Sequence, residues 1–174
     1  MTAHSSFINS VLAVFRSRTW QCAVGLLLFS TVHANEPVEW RLCSKELANE
    51  SVIKLTPERR RHCVIAIAST YLLWVDGKLN AADIPLSDDF IRRVLGTPRN
   101  KATTDRVALL ADTRPDLIAS VTEHEWFVEA DTAWAIFTVT LNSSPPSTHW
   151  VTERFVVSQG RISDIMALPP VQQH

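Results

Sequence analysis

The chain has 174 residues, 46% hydrophobic and 20% charged, which is the size and composition of one globular domain rather than a disordered segment. A formal net charge of −1 supplies no basic field for a phosphate backbone, so nucleic acid is not an expected partner. Three cysteines are too few for a disulfide-dense miniprotein or a four-cysteine zinc site.

Residues 1–34 read as an export signal. Arg16 and Arg18 form a positive n-region, Cys22 to Val32 form a short apolar core, and Val32-His33-Ala34 places a small residue at −1 and a modest apolar one at −3, the shape a signal peptidase accepts. Cleavage is expected after Ala34, which leaves no membrane segment in the mature form and a periplasmic or extracellular address. The alternative is an uncleaved N-terminal anchor. Cys43 and Cys63 then remain, and an exported chain with two cysteines is expected to join them, with two buried thiols as the alternative. Asn49-Glu50-Ser51 and Asn142-Ser143-Ser144 fit the N-glycosylation pattern and matter only for a eukaryotic source.

The mature chain contains no repeat and no linker long enough to divide it. Residues 35–56 read as an N-terminal segment with a short helix, capped by Ser44 and running to about Lys54; residues 57–174 read as the main domain. Thr56-Pro57-Glu58 starts the next helix with a capping hydroxyl, a proline at the first position and an acid at the positive helix end. Val64, Ala68, Tyr71 and Val75 make its apolar stripe, and Asp76-Gly77 ends it. The basic run Arg59-Arg60-Arg61 reads as a solvated face. Asp88 to Gly96 is ambiguous between strand and helix. A further helix is expected from about Thr104 to Asp112. Strands follow at Thr122–Val128, Thr132–Leu141, His149–Ser158 and Arg161–Leu168, around turns at Glu129-Ala130-Asp131 and Gln159-Gly160. Helices first and an antiparallel meander last is the α+β pattern.

Alternation along the strands sorts the side chains by face. Ala133, Ala135, Phe137, Val139 and Leu141 face inward, opposite His149, Val151, Glu153, Phe155 and Val157. His124, Trp126 and Val128 share one face of the first meander strand. This predicts a pocket lined by His124, Trp126, Phe137, His149 and Phe155, with Glu153 as a carboxylate that must be protonated, paired or opened to a wet cavity. Alternatively, the strand of Glu153 lies at the sheet edge and the acid reaches solvent. Trp134, Ile136, Trp150 and Val156 lie on the opposite face, where they predict either a homodimer interface or a surface covered by an additional N-terminal element. His124 and His149 lack a third ligand at a helpful spacing, so no metal is expected. His62 beside Cys63 points away from it on a helix, which argues against a nucleophile and base pair. Neither a Gly-rich phosphate loop nor a Gly-x-Ser-x-Gly elbow occurs, and no cofactor is expected.

A tyrosine on a helix ending Asp-Gly, the stretch Pro85-Leu86-Ser87-Asp88-Asp89, and a meander closing with Glu153-Arg154-Phe155 through Gly160-Arg161-Ile162 together resemble the nuclear transport factor 2-like superfamily, most closely its SnoaL-like branch and exported relatives. The resemblance covers roughly Pro57 to Leu168. It implies a strongly curved antiparallel sheet wrapped around helices as a cone or roll, with a pocket inside and frequent dimerisation. Ketosteroid isomerases of that superfamily build an oxyanion hole from a helix tyrosine and a protonated acid two residues before an inward phenylalanine. Tyr71 and Glu153-Arg154-Phe155 match those elements. The isomerase base falls at about Val94, which cannot accept a proton, and neighbouring Arg92 and Arg93 cannot replace it. Two functions therefore stay open. One is an exported binding or accessory domain for a small apolar molecule. The other is a cyclase-, isomerase- or hydratase-type enzyme using Tyr71 and Glu153 as oxyanion donors.

Overall fold

A computed structural model describes residues 39–95, 102–169 and 171–172 of the chain. The expected leader over residues 1–34 and Gly96 lie outside them.

The Thr56 side chain accepts the Arg59 amide proton at 3.2 Å, and Pro57 sits in the first turn, so helix α2 runs Pro57–Val75. At its far end Gly77 takes φ +72°, and Lys78 donates its amide proton to the Leu73 carbonyl at 2.8 Å, closing the last turn. Val64, Ala68, Tyr71 and Val75 are all buried. So are Cys63, Ile67, Leu72 and Trp74, because α2 is wrapped by the sheet on one side and by α1 on the other.

Helix α1 spans Glu39–Ala48, not Ser44 to Lys54. Ser44 is not its cap. The Ser44 hydroxyl instead donates to the Gly160 carbonyl at 2.5 Å, so the residue is spent on a tertiary contact. A Cys43–Cys63 disulfide ties α1 to α2, and Arg59 of α2 reaches back to Glu46 at 2.8 Å. Helix α3 spans Arg106–Thr113 with Asp105, one residue beyond the expected Thr104, accepting from the Ala108 amide at 2.8 Å.

The ambiguous stretch is a strand, β1 (Leu86–Val94), followed by the short β2 (Ala102–Thr103). The meander consists of β3 (Ile118–Glu129), β4 (Thr132–Leu141), β5 (Ser147–Ser158) and β6 (Arg161–Ala167). A final β7 (Val171–Gln172), not foreseen from sequence, pairs with His149 and Trp150. The sheet order is β2-β1-β6-β5-β4-β3, which makes a curved, unclosed α+β sheet. The meander pairs antiparallel as expected, but β1 runs parallel to β6, so the sheet is mixed. β5 lies between β4 and β6, not at an edge. β3 is longer than Thr122–Val128 because Ile118 already pairs with Leu141 at the open end.

Candidate functional site

Cross-strand register builds the interior row by row. One row reads Val94, Ala167, Glu153, Ala135 and Trp126, across β1, β6, β5, β4 and β3. Alanines flank Glu153 on both neighbouring strands. The next row toward the β5–β6 turn holds Arg92, Ile165, Phe155, Ala133 and Val128, which sets Arg92 diagonally from the acid.

Val94, Ala167, Glu153 and Arg92 of these rows line a cavity of about 330 Å³. Its walls are mostly apolar: Val75, Val94, Leu117, Ile118, Phe137, Val139, Leu141, Val151 and Ala167. Tyr71, Arg92, Thr113, Arg114, His149 and Glu153 supply the polar groups. Arg114 and Leu117 are exposed and mark the mouth. This is the usual composition of a small-molecule site, an apolar wall with a few placed polar groups.

Glu153 is 3% exposed and Arg92 8%. Their Oε1 and Nη2 atoms stand 3.6 Å apart, within ion-pair distance, and Glu153 Oε2 is buried without a hydrogen-bond partner. Burial pushes the Glu153 carboxyl above the ordinary glutamate range, against the opposing pull of the Arg92 guanidinium. The Tyr71 hydroxyl lies 3.4 Å from Thr113 Oγ1. Burial, reinforced by the Glu153 charge, lifts it well above the ordinary phenol range, so it keeps its proton at any physiological pH. His149 lines the cavity and its Nε2 lies 3.2 Å from Ser147 Oγ.

The residues expected to line one pocket divide into three groups. Tyr71, Phe137, His149 and Glu153 line the cavity. Phe155 and Trp126 pack beside it: the Phe155 ring centroid is 5.5 Å from Tyr71 and 6.1 Å from Trp126. His124 is on the outer face, with Nε2 3.2 Å from Thr138 Oγ1 and its ring 4.5 Å from Trp150. A bulge between Glu123 and Glu125 causes this split, because one extra residue inverts the alternation and sends His124 and Trp126 to opposite faces. It also separates His124 from His149, so the two cannot share a metal ion. Cys43, Glu46 and Cys63 lie close enough together to hold a metal, but the two sulfurs are bonded to each other.

Arg92, Thr113 and Arg114 were not foreseen as site residues. The signal for Arg92 is its parity with buried Phe90 along β1, legible only once that stretch is taken as a strand. The outer face carries Trp134, Ile136 and Val156 half-buried and Trp150 at 36% exposure, with Phe127 at 49% beside them.

No protein-family model matches the chain, and no curated protein matches it in sequence. Solved structures do match in fold. An LEH-like epoxide hydrolase of M. tuberculosis is 17% identical, with a TM-score of 0.50 over 60% of this chain and 80% of that one. An NTF2-like protein of unknown function from Burkholderia xenovorans is 9% identical, with a TM-score of 0.52 over 64% of this chain and 84% of that one. A de novo designed protein with a curved β-sheet is 16% identical, with a TM-score of 0.50 over 66% of this chain and 87% of that one. A helix-filled curved sheet with a cavity on its concave side defines the class: this chain has the nuclear transport factor 2-like fold. At these identities the likeness is one of fold, and the chemistry has to be argued from the cavity itself.

Proposed function

We propose that the protein is an exported domain that binds a small, largely apolar molecule in this cavity, with Glu153, Arg92 and Tyr71 as its polar contacts. The observation that carries the reading is the apolar hollow of about 330 Å³ ending on a buried ion pair. A buried pair is a poor way to add stability, since apolar residues of the same volume usually do as well or better. A ligand gives these groups a use. Export is supported by the Cys43–Cys63 disulfide, which persists in an oxidising compartment, and by the leader-like residues 1–34, with the mature chain beginning after Ala34. No helix among the described residues is long and apolar enough to cross a membrane. We further propose that the Trp134, Ile136 and Trp150 face forms a homodimer. The competing cover, an N-terminal element, is disfavoured as far as α1 is concerned, because that helix is held on α2.

The test is native mass spectrometry of protein purified from its export compartment. A retained small molecule, lost on filling the cavity with A167F at a residue that lines it, supports the reading. An empty cavity in repeated preparations, together with no binding of apolar probes, overturns it.

The second reading is an enzyme of the cyclase, isomerase or hydratase kind, favoured by one observation. Tyr71 and Glu153, both shifted toward their protonated forms, face one cavity as candidate oxyanion donors. Such chemistry also needs a proton acceptor. Val94 stands across Ala167 from Glu153 and cannot serve, which leaves His149 among the described lining residues. Turnover of ketone, lactone or epoxide substrates that falls by about a hundredfold or more in H149A and E153Q would establish this reading; its absence from a broad screen would remove it.

A further inference from the structure

Resting on the ligand-binding reading of the cavity, we infer that its ligand is an apolar molecule carrying a hydroxyl group, and that this hydroxyl is anchored on Glu153. The inference starts from a single atom. Glu153 lines the cavity, sits in the central strand β5, and has Oε2 buried without a partner while Oε1 faces Arg92 at 3.6 Å. A buried polar atom left unmatched is costly, and native interiors rarely keep one unless water or a ligand completes it. Ala167, the cross-strand partner of Glu153 on β6, lines the same cavity beside it.

The neighbouring groups narrow the chemistry of whatever fills that space. As a carboxylate, Oε2 accepts only; as an acid, Glu153 has a proton to donate. A ligand carboxylate is repelled by the first form and matches only the second, whose proton it can accept beside the Arg92 guanidinium. An ammonium cannot accept from the second form and stands beside the Arg92 guanidinium in either case. A hydroxyl both donates and accepts, so it matches Oε2 in both protonation states and adds no charge to a buried site. The remaining polar groups do not change this selection. Tyr71 and Thr113 lie 3.4 Å from each other, His149 is set against Ser147, and Arg114 at the mouth is bound through two 3.0 Å contacts to Asp116. The nine apolar lining side chains form the wall along which a hydrocarbon body would lie.

The experiment uses four probes with the same hydrocarbon chain, namely decanol, decanoate, decylamine and decane, titrated by displacement of an environment-sensitive dye and checked by native mass spectrometry. Decanol is expected to bind tightest, with an advantage over decane of about tenfold. In E153L that advantage should vanish while decane still binds; in E153Q, whose amide also donates and accepts, most of it should remain. If decanoate, decylamine or decane equals decanol on the native protein, the hydroxyl anchor is overturned and the binding cavity stands. Retention of the full decanol preference by E153L overturns it as well. If none of the four binds, the cavity reading falls and this inference with it. Should E153L not fold, the order of the four probes on the native protein decides the matter alone.

Discussion

Ser44 and Gly160 hold the first helix onto the last hairpin. The Ser44 hydroxyl donates to the Gly160 carbonyl at 2.5 Å, and the Ser44 carbonyl oxygen lies 2.0 Å from where a β-carbon on Gly160 would stand. Gly160 also takes φ +72°, a conformation that L side chains rarely adopt. Backbone conformation and close approach therefore demand glycine at this one turn, which gives the Gly160-Arg161-Ile162 motif a physical reason.

Substitution of Gly160 by alanine is expected to cost about 2–5 kcal/mol, combining left-handed strain with a backbone clash. Gly77 has the same φ of +72° but open space around it, so G77A should cost only about 1–2 kcal/mol. Urea unfolding of both variants checks the contrast. Equal costs would mean that the contact with Ser44 contributes nothing.

Reduction of the Cys43–Cys63 bond, or the double C43A/C63A variant, should lower stability by about 3 kcal/mol, chiefly by freeing the unfolded chain. The Arg59–Glu46 and His62–Glu39 pairs between the same helices are partly exposed and cannot replace it, each contributing at most about 1 kcal/mol. Denaturation with and without reductant reads the difference, and hydrogen exchange should locate the loosening in α1.

The raised proton affinity of Glu153 has a definite sign in stability against pH. The folded state binds this proton more tightly than the unfolded chain does, so the stabilisation is fully present below the ordinary value of 4.5 and is lost as pH rises through the raised folded value. E153Q has no such proton to lose. Its stability relative to the native protein should therefore improve as pH climbs from below 4.5 toward neutrality. The lowered carboxyls of Glu39 and Asp116 act in the opposite direction but are present in both proteins, so they cancel in the comparison. A difference that does not change with pH would mean the carboxyl is solvated.

Replacement of Trp150 by glutamate on the outer face should leave the fold intact, since that side chain is already 36% exposed. On the homodimer reading it should shift the protein to a monomer in light scattering. A native protein that is monomeric at high concentration would exclude the dimer.

The sequence by itself determined the long helix and its two ends, the meander strands, and the inward parity of Tyr71, Phe137 and Glu153. These follow from local rules: caps, breakers and alternation act over a few residues. What alternation cannot foresee is a bulge. One extra residue near His124 inverts the face of everything beyond it, and no local signal marks the spot. Nor does a local rule say that Ser44 is consumed by Gly160 rather than used as a cap, or that β1 lies parallel to β6 and carries Arg92 to Glu153. Those contacts join residues far apart in the chain, and only packing of the whole sheet around α2 decides them. The buried, half-satisfied carboxyl on which the proposed function turns is a product of that packing.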